Sequence, residues 1–236
     1  PEPPATKPLP LASVDPAAPG WPRAIDATGA AAWTTPPEAP APALTLDLGY
    51  AREFGGLALE WASGARPDAY EVMASDDGRQ WQTIFRVSGA RGAQDWIPTP
   101  DAEARFVRLS VPNASGRSFT LDRARVLEPS QTATPNDLWK LIASESRPGL
   151  LPAYFRGLQR YWTVIGASGD DIEALIDEDG SVEVGRLGCT ITPFVQVGDR
   201  LLTAADVQTS QSLEDRELPV PSVRWRTKDW ELAMGA

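Results

Sequence analysis

The sequence predicts an all-β protein, a sandwich followed by a second β-rich region with one short helix. Three observations carry this. In YEVMASDDGRQW, Tyr70, Val72 and Ala74 alternate with Glu71, Met73 and Ser75, the period of a half-buried strand. Asp76, Asp77 and Gly78 then supply turn chemistry, and Trp81 is a large apolar anchor where the chain re-enters a sheet. Strand-like runs lie on both sides of this hairpin, and no long amphipathic helix interrupts them.

Residues 1–21 read as a stiff proline-rich leader, because Pro1, Pro3, Pro4, Pro8, Pro10, Pro16 and Pro19 oppose a regular ladder or helix. The sandwich is expected over residues 22–129. Asp26 to Gly29 is a loop before Trp33, and a second proline-rich insert leads to the strand carrying Leu44, Leu46 and Leu48. Leu57, Leu59 and Trp61 are in phase on the next run, which marks Trp61 and Trp81 as core residues. After the hairpin, Val107, Leu109 and Val111 share a face, with Arg105 in phase at the strand start. Residues 119–127 close the domain, and broken alternation near Asp122 and Arg123 predicts a bulge.

Residues 130–236 read as a linker, a helix over 138–142 capped by Asn136, and the opening part of a larger sandwich. Hairpins are expected around the DEDG turn at 177–180 and around Gly198. Further strands fall at 223–225 and 230–232, the last still lacking a pairing partner. Trp162 and Trp225 are expected to pack this second region.

Composition narrows the function. The 236 residues carry a formal net charge of −10, which argues against a general nucleic-acid or anionic-membrane surface. No apolar run is long enough to span a bilayer. With no histidine, a His-based triad or His-ligated zinc site cannot form within the chain. Cys189 is alone, so there is no internal disulfide. The cluster Asp177, Glu178 and Asp179 reads as a solvated hairpin tip rather than a catalytic pair, and the DEDG segment lacks the ligand spacing of an EF-hand.

Four stretches together resemble the discoidin domain, the coagulation factor 5/8 C-terminal type. They are Asp26 with Trp33, LTLDLG at 44–49, YEVMASDDGRQW, and RFVRLSV at 105–111. The resemblance covers roughly residues 22–129. It implies an eight-stranded jelly-roll sandwich with ligand-binding loops at one end. Many bacterial relatives bind sugars, and some hold a structural calcium near the first aspartate. The stretches YWTVIGASGDDIEALIDEDGSVEVG, PFVQVGDRLLTAADV and QSLEDRELPVPSVRW resemble the start of the N-terminal β-sandwich of a bacterial glycoside-hydrolase-like protein. In such proteins that sandwich precedes an (α/α)6 barrel holding the catalytic carboxylates, so no residue here is carried over as catalytic.

A ring face packs on the apolar face of a pyranose, which makes Trp33 and Trp96 the candidate platforms. Arg66, Arg91 and Asn113 are the candidate hydrogen-bonding residues. A plugging role for Trp33 and a plain surface role for Trp96 explain them as well. Asp26 is the candidate calcium ligand, with an Asx-turn as its other explanation. The expected function is a non-catalytic N-terminal region of a bacterial carbohydrate-active protein, secreted or periplasmic, with a glycan as partner. The other reading is a structural or protein-interaction module supporting a downstream glycosidase domain. The fragment is expected to be inactive alone.

Overall fold

The structure, a computed structural model, describes residues 9–11, 13–15, 33–114, 116–166, 169, 173–185, 188–216 and 218–235. The chain divides into two compact units, Pro1–Leu141 and Ile142–Ala236. The predicted class holds: all-β, with one short α-helix among the described residues.

The first unit is built from β1 (Ser13–Asp15), β2 (Trp33–Thr34), β3 (Ala43–Trp61), β4 (Ala69–Ser75), β5 (Gln82–Ser88), β6 (Gln94–Ser110) and β7 (Thr120–Leu127). They hydrogen-bond in the order β2-β7-β3-β6-β4-β5, with β1 on β3. Among the described residues this sheet has seven strands. Two of them, β3 and β6, are long enough to serve both layers. Residues 43–47 of β3 pair with 106–110 of β6 in one layer, and 56–60 pair with 94–98 in the other. Register shifts at Asp47/Arg52 and Phe54/Gly56 turn the chain between them. At Gly56 φ is +148°, and a Cβ there would collide with the Ile97 carbonyl, so only glycine fits the bend.

One core fills the space between the layers. Leu44, Leu46, Val72, Val107 and Leu109 face Leu57, Leu59, Trp61, Ile97, Leu121 and Val126 across it. The predicted bulge is present: Glu60 pairs with Arg123 and Trp61 with Leu121, leaving Asp122 unmatched. In the hairpin turn, Asp77 Oδ1 accepts from the amides of Arg79 and Gln80, both at 2.8 Å. The Gln80 and Arg79 amides hold its carboxyl below the usual range.

Two expectations for this unit change. The leader is not free of ladder structure, because the proline-free run Ser13–Asp15 pairs with Asp47, Leu46 and Thr45. Leu9 also enters the core, its amide donating to the Val126 carbonyl at 3.0 Å. Trp81 is half-buried rather than a core anchor, since the Arg108 guanidinium covers its ring at 3.7 Å.

The helix α1 spans Pro135–Glu145. Its cap is Thr134 rather than Asn136: Thr134 Oγ1 accepts from the Asp137 amide at 3.2 Å. Pro135 takes the first helical position, where a missing N–H costs nothing.

In the second unit, β8 (Trp162–Ile165), β9 (Ala174–Asp177), β10 (Val182–Val184) and β11 (Thr190–Ile191) form a four-stranded sheet ordered β11-β10-β9-β8. β12 (Val195–Val197) and β13 (Arg200–Leu202) form the hairpin around Gly198. β14 (Gln208–Glu214), β15 (Leu218–Arg226) and β16 (Glu231–Gly235) form a three-stranded sheet. Ile176, Val223 and Trp225 are its buried core. Trp225 packs as expected, whereas Trp162 is 39% exposed and lies outside this core.

Candidate ligand-binding cleft

One end of the first unit is formed by the loops at residues 62–68, 89–93 and 111–119. Their support is a hydrogen-bonded hub on Asp95. Trp61 Nε1 donates to Asp95 Oδ2 at 2.9 Å, and the Tyr70 hydroxyl donates to the same oxygen at 2.6 Å. Arg66 Nη2 donates to Oδ1. The Trp61 and Tyr70 rings lie 5.5 Å apart and tilted, the favourable aromatic arrangement. Burial first, and then the bond to Asp95, push the Tyr70 phenol far above its ordinary value.

Arg66 is the loop tie. Its side chain is only 9% exposed. Its Nη1 donates to the carbonyls of Arg91 at 2.5 Å and Gly92 at 3.0 Å, joining two loops to the Asp95 hub. A third loop is joined by Arg117, which donates to Asp68 Oδ2 at 2.8 Å and to the Arg66 carbonyl at 3.4 Å.

Between the first and third of these loops lies a cleft of about 170 Å³. Pro67, Val111, Pro112 and Phe119 supply apolar wall, and Asp68, Asn113 and Arg117 supply polar groups. Asp68 and Arg117 keep half or more of their side-chain surface open to solvent. The arrangement offers a carboxylate acceptor, guanidinium and amide donors, and an apolar wall, which suits a neutral polyhydroxylated ligand.

The residues singled out from sequence divide. Asn113 lines the cleft. Arg66 sits beneath it as a buried support, and Arg91 contributes its carbonyl to that support with an exposed side chain. Trp33 is in the core, 4% exposed, opposite Leu121, with no ring face open to a sugar. Trp96 is not on a loop but within β6, opposite Ala58 on the outer sheet face, with Arg125 at 5.4 Å from its ring centroid. The structure therefore does not gather the two tryptophans with the three polar residues. Asp26 lies outside the described residues. Among the described residues no cluster of three or more His, Cys, Asp or Glu could hold a metal ion.

Sequence reading missed Asp68, Arg117 and the Asp95 hub. The sequence separation between Asp68 and Arg117 hides their pairing, though both fall in the polar loops that flank predicted strands. The DEDG tip of the second unit is not a solvated turn. Asp177 is buried, its Oδ1 accepting from the amides of Asp179 and Ser181 at 3.0 and 2.7 Å. Burial raises the Asp179 carboxyl, against the lowering pull of Arg160, which bridges Asp179 and Glu178 at 2.6 and 3.0 Å.

The first unit is thus a β-sandwich module with a cleft at its loop end. Residues 12–123 match the model of the F5/8 type C domain family, and further β-sheets follow that stretch. Among solved structures, a chitosan-binding module 1 from a Paenibacillus chitosanase/glucanase is 20% identical over 51% of this chain and 98% of that one, with a TM-score of 0.42. The chitosan-binding module 2 of the same enzyme, in complex with chitotriose, is 24% identical over 36% of this chain and 68% of that one, with a TM-score of 0.33. A Clostridium perfringens module, CpGH89CBM32-5, in complex with GalNAc-β-1,3-galactose is 23% identical over 44% of this chain and 80% of that one, with a TM-score of 0.39. No curated protein matches the chain significantly. No described helix is long and apolar enough to cross a membrane.

Proposed function

We propose that the first unit is a non-catalytic glycan-binding module whose ligand seats in the loop-end cleft. The observation that carries this is the convergence of Asp68, Asn113 and Arg117 over an apolar proline wall, held in place by buried Arg66. The two walls suit the two faces of a sugar ring: the exposed Pro112 meets its C–H face, and the polar trio meets its hydroxyls. The match to the F5/8 type C family supports the same reading. Because Asp68 and Arg117 are paired, the cleft presents balanced charge, which favours neutral over strongly charged sugars.

In the parent protein this module would serve a carbohydrate-active enzyme acting outside the cytoplasm, where polymeric glycans are met. The second unit would be the opening of a larger β-sandwich. Its exposed Trp162, Val164, Ile191 and Phe194 support that reading, since a finished sandwich buries such side chains.

A glycan array followed by calorimetry tests the binding. The chain should bind a neutral oligosaccharide, and Arg117→Ala should abolish binding while leaving the melting temperature nearly unchanged. An exposed ion pair contributes only about 0–1 kcal/mol to stability. No binding across a broad array would favour the structural-module reading instead.

A further inference from the structure

The three-stranded sheet of the second unit is open on one side. In β15, Pro221, Val223 and Trp225 are buried and face inward, while Arg224 and Arg226 are exposed. Their partners on β14 are Leu213, Gln211 and Thr209, so these three share the inward face. All three are nevertheless exposed, as is every residue of β14. The cover over the sheet therefore reaches β15 and stops. Among the described residues β14 pairs with β15 alone, and its other edge carries unpaired backbone groups.

A cleft of about 330 Å³ lies beside this strand, between the two sheets. Gln211, Ser212 and Leu213 form one side, and the core residues Ile176 and Val223 form part of its floor. An open edge next to an unfilled gap in a core is what an added strand completes.

The sequence of β14, QTSQSLE, says which strand. It has none of the devices that protect edges: no lysine, no proline, and a single charge at Glu214. It is also complementary to itself. In an antiparallel pairing centred on Gln211, Gln208 meets Glu214 of a second copy, so the one charge faces an amide donor. Thr209 then meets Leu213 on the inward face, Ser210 meets Ser212 on the outward face, and Gln211 meets Gln211. No like charges oppose each other, and β-branched and apolar groups fall on the gap side.

We propose that β14 is a self-association edge: two copies of this chain pair β14 antiparallel about a twofold at Gln211, extending the sheet across both molecules. Each copy brings its Leu213 to the open inward face of the other, beside Thr209. The contact is isologous, so it closes as a dimer rather than propagating.

Sedimentation velocity of the 236-residue chain carrying Cys189→Ser, which removes the exposed thiol, is the test. The expected result is a concentration-dependent dimer. Gln211→Lys and Gln211→Glu should each sediment as monomers, because the twofold sets like charges face to face. An equimolar mixture of the two should restore the dimer as a heterodimer, which also shows that both variants are folded. A wild-type chain that stays monomeric at every concentration overturns the proposal, including the case where it takes up an extended apolar peptide instead. A dimer retained by both single variants, or one the mixture does not restore, overturns it equally.

Discussion

Tyr70 donates its hydroxyl proton to Asp95 Oδ2 at 2.6 Å, across the 25 positions that separate β4 from β6 in sequence. The bond joins the organising hairpin to the loop end of the sandwich. Trp61 Nε1 reaches the same oxygen from β3, and Arg66 takes the other oxygen from the loop between. Three strands and one loop thus meet at a single carboxylate beneath the cleft.

Alkaline titration should single out Tyr70. Its phenol is raised well above the ordinary value of 10.0, first by burial and then by Asp95. The folded chain keeps a proton that the unfolded chain releases, so this contribution to stability is complete below pH 10.0 and declines above it. In near-ultraviolet titrations of wild type and Tyr70→Phe, the difference between the two should show Tyr70 ionising only with unfolding. Ionisation of Tyr70 in the folded chain near its ordinary value would contradict the hub.

Replacing Asp95 should be among the most damaging polar substitutions in the first unit. Asp95→Ala leaves the buried Arg66 guanidinium without its counter-charge, and removing one partner of a buried pair costs roughly 3–5 kcal/mol. Denaturant unfolding should show a loss of about that size, and calorimetry on the still-folded fraction should show weakened glycan binding. A loss under about 1 kcal/mol, the range of exposed pairs, would mean that the hub is solvated.

The tryptophans should separate by stability. Trp33 is core, so Trp33→Ala should cost about 3–5 kcal/mol. Trp96 lies half-buried on an outer sheet face, and Trp96→Ala should cost distinctly less. Thermal unfolding of both variants decides this. With the ligand in the loop-end cleft, Trp96→Ala should also bind glycan with unchanged affinity.

Acid should weaken the second unit through Asp206. Its Oδ2 accepts from the Thr203 amide at 2.9 Å, from Thr203 Oγ1 at 3.0 Å and from Arg147 at 2.7 Å. The Thr203 amide, the largest influence, holds the carboxyl below its usual range. Its contribution is therefore present above the ordinary aspartate range and lost as pH falls through it. Melting temperature against pH should fall less steeply for Asp206→Asn than for wild type, and parallel curves would remove Asp206 from this role.

Local periodicity determined much about this protein without any structure. The alternation of Leu44, Leu46 and Leu48, and of Val107, Leu109 and Val111, depends only on neighbours two residues apart. Turn chemistry at Asp76 to Gly78 and at Gly198 is equally local, so the strands, the hairpins and the all-β class were legible. β14 was not, because QTSQSLE has no apolar alternation; its strand conformation comes from pairing with β15.

The tertiary structure alone decided the rest. Residue type marks a tryptophan as large and amphipathic, but only packing places Trp33 inside and Trp96 on an outer sheet face. Length in β3 and β6 was visible only as separate runs, and the bend at Gly56 joined them into strands shared by both layers. The cleft depends on Asp68 meeting Arg117 from 49 positions away, and on Asp95 gathering Trp61, Arg66 and Tyr70. Such contacts have no period in the chain. They exist because closing the sandwich brings loops from distant strands to one end, where hydrogen bonds between side chains then set the site.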